Sequence, residues 1–325
     1  MTTLVTGAAG FIGYHVSRAL LARGTPVVGI DNLCDYYSVA LKRARLAQLT
    51  GQPGFDFGEI DISSKEAVSD LVSRHPDIDT VIHLAAQAGV RYSLTNPYAY
   101  VDANVMGLVV LLEAARTLTQ VKHFVYASSS SVYGANTDLP FDVSDRVDRP
   151  ISLYAATKRA GELIAHTYSH LWQLPTTGLR FFTVYGPWGR PDMAAYLFAD
   201  AIVADRPIQV FNHGKMQRDF TYIDDIVSGI LSAADHPPVD KAPPYAVYNL
   251  GNHRAENLME FIAILERALG RKATMVLEPM QPGDVPTTYA GIEATQQALG
   301  FNPQTPISEG IPKFVAWYKS YHGLA

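Results

Sequence analysis

Tyr154 and Lys158 stand four residues apart in the segment YAATK, a spacing that puts two side chains on one face of a helix. A free phenol ionises near pH 10. An ammonium group beside it favours the phenolate and lowers that value, which would make Tyr154 a base usable near neutral pH. The pair alone is a weak signal, because Tyr and Lys on a helix are more often surface residues. The upstream stretch YASSSSVYG adds weight: four hydroxyls, Ser128 to Ser131, follow an apolar run without a break. The end of a parallel strand is where ligands bind in such sheets. One of these hydroxyls can bond a substrate hydroxyl or pass a proton to the tyrosine.

A second set of residues suits a dinucleotide. In LVTGAAGFIG the glycines Gly7, Gly10 and Gly13 fall between a strand-like run and a helix-like one. Glycine there permits a tight turn, close approach to a diphosphate and close helix–strand packing. The helix N-terminus adds free N–H groups for the phosphates. Asp31 lies 18 positions past Gly13 at the end of the next apolar run, where a carboxylate can accept the adenosine ribose hydroxyls. It would repel a 2′-phosphate, and the next residue is Asn32 rather than Arg. NAD is therefore expected over NADP, and its nicotinamide charge would further favour a phenolate at Tyr154. Asp61, followed by Ile62, is a candidate for the adenine amino group or, equally, a helix N-cap.

These groups need elements to hold them. Apolar runs (TLVTG, PVVGID, FDFGEID, TVIHLAA, HFVYASSS, TTGLRFF) alternate with helix-length segments at 11–23, 38–49, 65–75, 97–118 and 155–173. Strands alternating with helices predict an α/β chain with a parallel sheet covered on both faces. After about residue 187 the pattern turns mixed and richer in Pro and Tyr. There a helix near 224–235, a Pro-rich link at 236–244, a strand AVYNLG and a helix at 308–321 are expected. This predicts a first domain over 1–186, regaining parts of about 216–250, and a smaller one over 187–325. The chain has 325 residues, 48% of them hydrophobic, and a net charge of -5. The charge gives no reason to expect nucleic acid. The single Cys34 excludes intrachain disulfides and cysteine-based zinc clusters and fits a reducing compartment. No signal peptide and no membrane span are expected, so the reading is cytoplasmic. His83, His123 and His166 lack metal-ligand spacing, and no metal is expected.

TGAAGFIG, HLAAQAGVRYS, YASSSSVYG, YAATK, RFFTVYGPWGRPDMA, QRDFTYIDDI and PGDVPTTYA occur in this order over nearly the whole chain. They resemble the extended short-chain dehydrogenase/reductase superfamily and, more narrowly, its UDP-glucuronate 4-epimerases. The resemblance implies a Rossmann-type doubly wound parallel sheet with a smaller mixed α/β C-terminal substrate domain. It implies that Tyr154 takes the proton of the sugar 4-hydroxyl, that Lys158 holds the nicotinamide ribose, and that Ser129 assists, uncertain by a position within 128–131. Phe11 and Ile12 beside the glycine loop, and Leu84, Ala85 and Ala86 after the fourth strand, would flank the cofactor. Thr183 stands where many relatives carry Asn, and its hydroxyl can donate to a carboxylate. With Ser130, it would share the sugar end with Arg190 or Arg91, either of which can meet a planar anion. Arg218 and Asp284 match the UDP diphosphate region, and Gln209 to Phe211, including Val210, match the uracil region. Gln281 stands two residues before Gly283-Asp284, where many hexose epimerases place Arg just before the Gly-Asp pair; one phosphate contact may thus be lost or moved.

Rival chemistries leave different marks. Dehydratases of this superfamily place an Asp-Glu pair where this chain has Ser130 and Ser131, and UDP-glucuronate decarboxylases usually carry a Glu in that stretch. A neutral UDP-hexose 4-epimerase stays open as the alternative. A non-catalytic NAD-binding scaffold would be expected to lack the YxxxK pair. Apolar positions such as Leu111, Leu112 and Ile164 on 97–118 and 155–173 suit either packing within one chain or the helix bundle through which relatives form homodimers.

Overall fold

The computed structural model describes residues 2–281 and 284–324. The first half contains strands β1 (Thr2–Thr6), β2 (Val27–Asp31), β3 (Phe55–Glu59), β4 (Ile78–His83), β5 (His123–Ser129) and β6 (Thr176–Phe181). Between them lie helices α1 (Phe11–Ala22), α2 (Val39–Ala47), α3 (Lys65–Arg74), the single turns α4 (Tyr92–Thr95) and α5 (Pro97–Tyr100), then α6 (Gly107–Thr117) and α7 (Leu153–Trp172). The second half adds β7 (Thr183–Tyr185), β8 (Ile208–Val210), β9 (Gln217–Arg218), β10 (Phe220–Tyr222), β11 (Tyr245–Leu250), β12 (Glu256–Asn257) and β13 (Met275–Leu277). Its helices are α8 (Ala194–Val203), α9 (Ile223–Asp235), α10 (Leu258–Leu269), α11 (Glu293–Leu299) and α12 (Ile307–His322).

Seven strands form one sheet in the order β11-β6-β5-β4-β1-β2-β3, parallel at every pair. β1 and β2 are buried along their whole length, as expected of parallel strands covered on both faces. Alternate residues feed two cores. Leu4, Val28, Ile30 and Phe124 pack with Leu71 of α3, Leu111 of α6 and Ala165 of α7. Val5, Val27, Ile82 and Val125 face the other way, with Val16 of α1 and Ile226 of α9. The chain runs outward one way from β1 through β2 and β3, and the other way from β4 through β6. That reversal between β1 and β4 is the switch point where such sheets bind ligands.

The later chain does not stand apart from this sheet. β11 pairs with β6, Tyr245 opposite Thr176 through Leu250 opposite Phe181. The remaining short strands make three two-stranded pairs, β7–β10, β8–β13 and β9–β12, of which only the last is antiparallel.

Two expectations need correction. The segment 97–118 is not one α-helix: Val101–Met106 forms a π-helical turn between α5 and α6. Pro97–Thr117 is also long and apolar enough, by length and composition alone, to span a bilayer. Here Leu108, Leu111 and Leu112 are buried in the core under the sheet, as in the core helix of a globular fold.

Candidate active site

The strand ends around the switch point enclose a cavity of about 730 Å3. At one end is the glycine loop. Gly7 has φ +73°, and a Cβ there would come within 2.9 Å of the Ala85 backbone. A Cβ on Gly13 would lie 2.0 Å from the Gly7 carbonyl oxygen. Only glycine allows helix α1 to begin this close to β1 and β4. α1 starts at Gly10 with no side-chain cap and no acidic residue in its first turn, so its amide end is open to an anion. The loop thus fits a dinucleotide diphosphate. Gly7, Gly10, Phe11, Ile12 and Gly13 all line the cavity, and so do Leu84, Ala85 and Ala86 from the end of β4.

Asp31 closes β2 beside the loop. It accepts the Leu33 N–H at 2.8 Å and the Ala9 N–H at 3.2 Å, which fixes the carboxylate and leaves lone pairs for ribose hydroxyls. Lys42 Nζ stands 3.9 Å from it. Asn32, Asp61 and Ile62 line the cavity farther out, with the Asn32 amide donating to Asp61 at 2.8 Å. Burial would raise the Asp61 pKa, but hydrogen bonds from Ser63 and Asn32 hold it below the usual carboxylate range. The N-cap of α3 is Ser64, so Asp61 is not that cap.

Tyr154 and Lys158 occupy the first turns of α7, whose N-terminus is capped by the Ser152 hydroxyl accepting the Ala155 N–H at 3.1 Å. Both line the cavity with Ser129 and Ser130. Ser129 ends β5, and its hydroxyl accepts from the Ser131 N–H and Oγ at 3.2 and 3.0 Å. Ser128 turns away and donates to buried Glu162 at 2.7 Å. That contrast favours Ser129, which stands beside the phenol, over Ser128.

The expected lowering of the tyrosine pKa is not present in the protein alone. Burial raises the Tyr154 phenol above its ordinary value, and the Ser129 hydroxyl and the Arg190 guanidinium only partly oppose this. Lys158 donates to the Ala127 carbonyl at 2.8 Å. Desolvation lowers its own pKa to about 8, so its ammonium is itself stretched.

The sugar end differs from the sequence expectation at several residues. Thr183, Arg190, Arg218 and Asp284 line the cavity. Arg190 is already paired with Asp192, Nε to Oδ1 at 3.0 Å and Nη2 to Oδ2 at 2.5 Å. It is therefore not a free fork for a substrate anion. Arg91 does not line the cavity: it is exposed and stacks over the Phe211 ring at 5.0 Å, with Asp284 3.8 Å away. Phe211 sits with it outside the lining. Val210 is buried in β8, its carbonyl taken by the Glu278 N–H at 2.9 Å. Arg218 donates to the carbonyls of Gln217 and Pro286 and lies 3.9 Å from Asp284. Pro282 and Gly283 lie outside the described residues.

Other residues came to light only in the structure. Tyr36 and Gln87 line the cavity, and Asn104 bridges Gln87 to Thr157 of α7 with bonds of 2.9 to 3.1 Å. No group of three or more His, Cys, Asp or Glu side chains able to hold a metal occurs among the described residues. The expected structural histidines His83 and His123 are buried, and burial lowers their pKa values to about 3 and about 4, respectively.

Known proteins carry the same pattern. Residues 3–251 match the family described as NAD dependent epimerase/dehydratase. The chain is 46% identical to a probable UDP-glucuronate 4-epimerase of Rhizobium meliloti, covering 98% of this chain and 97% of that one. It is 50% identical to UDP-glucuronate 4-epimerase 4 of Arabidopsis thaliana, covering 99% and 76%. The structure superposes with a TM-score of 0.91 and 35% identity on UDP-glucuronic acid 4-epimerase from Bacillus cereus in complex with UDP-glucuronic acid and NAD, covering 99% and 100%. With glycine loop, Asp31, Tyr154 and Lys158 brought to one cavity at the switch point, the chain belongs to the NAD dependent epimerase/dehydratase family.

Proposed function

We propose that the protein interconverts UDP-glucuronate and UDP-galacturonate by epimerisation at C4, with NAD held through the catalytic cycle. One observation carries this reading: the Tyr154 phenol is buried at the cavity wall beside Ser129, on the helix turn before Lys158, with the phosphate loop in the same cavity. When bound, NAD supplies the acceptor and then the donor of the C4 hydride, so a 4-keto sugar forms and is reduced with no net redox change. Gly7 to Gly13 would hold its diphosphate and Asp31 its adenosine ribose. Tyr154 takes the 4-hydroxyl proton and later returns it, and the Ser129 hydroxyl holds that hydroxyl toward the phenol. Lys158, anchored on the Ala127 carbonyl, places a positive charge near the nicotinamide ribose.

The sugar carboxylate is seated by neutral donors, Ser130 and Thr183, because Arg190 is occupied by Asp192 and Arg91 lies outside the cavity. Holding that carboxylate matters: a 4-keto glucuronate is a β-keto acid and loses carbon dioxide when its carboxylate leaves the carbonyl plane. Residues 187–325 chiefly supply the UDP side through Arg218 and Asp284, while 1–186 with β11 supply the dinucleotide side. The protein is further proposed to act in the cytoplasm as a homodimer, without membrane or nucleic-acid partners. The test is incubation with UDP-glucuronate and no added NAD, followed by proton NMR. UDP-galacturonate is the expected product. A UDP-pentose would make the protein a decarboxylase. Turnover of UDP-glucose alone would move it to neutral sugars.

A further inference from the structure

Arg45 of α2 is completely buried, and none of its acceptors is a carboxylate. Its guanidinium donates to the Trp188 carbonyl from Nε at 3.0 Å and Nη2 at 2.7 Å. It donates to the Gly189 carbonyl at 3.1 Å, the Ala9 carbonyl at 3.1 Å and the Tyr37 hydroxyl at 2.8 Å. Neutral acceptors satisfy its hydrogens but do not offset a buried charge, which is costly without a counterion. The placement suggests where the countercharge comes from. Ala9 belongs to the glycine loop, so Arg45 grips the back of the element whose front is shaped for a diphosphate.

Arg45 also joins two segments of the cavity wall. Tyr36 and Tyr37 follow β2, Arg190 and Met193 follow β7, and all four line the cavity. Arg45 ties the first segment to the second at Trp188 and Gly189. A separate bond makes the same connection: the Tyr36 hydroxyl donates to Asp192 at 3.1 Å, the carboxylate that holds Arg190. A Cβ on Gly89 would meet the Tyr36 oxygen at 2.5 Å, so the tyrosine is pinned from the β4 side too.

We propose that Arg45 is a dinucleotide-retaining residue. Its buried charge is balanced by the diphosphate of the bound dinucleotide. Its carbonyl bonds, with the Tyr36–Asp192 latch, keep the two wall segments closed against the phosphate loop, so the cofactor stays bound between turnovers. An enzyme that regenerates its own NAD gains from such retention, because release would strand the 4-keto sugar. This rests on the reading of the cavity as an NAD site.

The experiment compares wild type, Arg45→Lys, Arg45→Met and Tyr36→Phe. Dinucleotide released per protomer on denaturation is measured, and NAD is titrated into stripped protein. Wild type is expected to carry bound dinucleotide. Arg45→Met is expected to purify largely empty, with Kd for NAD raised about ten-fold or more, and to regain turnover when NAD is added. Arg45→Lys, keeping the charge without the fork, should fall between. Arg45→Met with wild-type NAD content and Kd overturns the proposal. If Arg45→Met loses its cooperative thermal transition, Tyr36→Phe decides: a faster release of NAD supports the latch, and an unchanged rate overturns it. Wild type that neither carries nor binds NAD overturns the NAD reading itself, whereas NAD-binding wild type with unaffected variants overturns only the role of Arg45.

Discussion

Lys158 shows why a catalytic residue can be legible in sequence while its energetics are not. The YxxxK spacing located it, but desolvation at its site depends on α7 lying against β5, which spacing does not reveal. Its folded pKa is about 8 against an ordinary 10.5. Between those values the unfolded chain binds more protons than the folded one, so this group makes stability rise with pH across that window. Below it the buried ammonium is a standing cost, and above it the amine is neutral in both states. Lys158→Met should therefore raise the melting temperature of dinucleotide-free protein at pH 7, by up to about 3 kcal/mol of stability. The gain should shrink from pH 8 to 10.5 and vanish beyond, while turnover is lost. Thermal unfolding at a series of pH values checks this, and a gain independent of pH would exclude desolvation as its source. The same burial accounts for the raised Tyr154 phenol, for which the sequence suggested the opposite shift. A neighbouring charge can be inferred from spacing, but the loss of water around the group cannot.

At the scale of elements, the helix and strand periods placed each first-half element to within about two residues, because fully buried strands and one-sided helices leave plain hydrophobic patterns. The π-turn at Val101–Met106 left no such mark. It turns Asn104 inward to join Gln87 and Thr157, and an Asn among apolar residues was the only available sign. Glu162 was more readable than it was read: it stands one helical repeat beyond Lys158, and an acid on the buried face of a helix needs a partner. That partner is Arg180 of β6, bonded through Nε to Oε1 at 2.9 Å and Nη2 to Oε2 at 3.0 Å. Glu162 also receives Ser128, the residue before Ser129. The pair thus fixes the register of the catalytic helix against the strand that carries the serines. Glu162→Gln leaves a buried guanidinium without its counterion, at a cost of about 3–5 kcal/mol. The urea midpoint should fall accordingly. With α7 free to shift, kcat should fall more than KM rises. An unchanged urea midpoint would mean that α7 is held by its apolar contacts alone.

For the whole molecule, the sheet and its switch point followed from the alternation of elements, whereas the assembly of the later chain did not. β7, β8 and β10 have three residues each and β9 and β12 two, too few for any period. Their arrangement depends on distant partners such as Asp219. That buried carboxylate accepts the backbone N–H groups of Asn252, His253 and Ala290, joining segments some 30 to 70 residues apart. Arg45 reaching Trp188 is a connection of the same kind. The surface carries a further consequence. Leu94 (68% exposed) and Tyr98 (79%) on α4 and α5 stand exposed, as do Leu163 (55%) and Trp172 (46%) on α7. α6 and α7 pack side by side, with a Cβ on Gly161 reaching 3.1 Å from Leu108, so these apolar groups belong to adjoining helices. Clustered exposure of large apolar side chains marks an association surface more often than a solvated one. A two-fold dimer through this face would bury the same residues from both protomers. Sedimentation of the wild type should then give twice the 35.5 kDa chain mass. Leu163→Glu, which places a charge in the middle of the face, should shift it to the monomer with its fold intact. A wild type that sediments as a monomer, or a Leu163→Glu protein that stays dimeric, would place the contact elsewhere and leave these side chains to another partner.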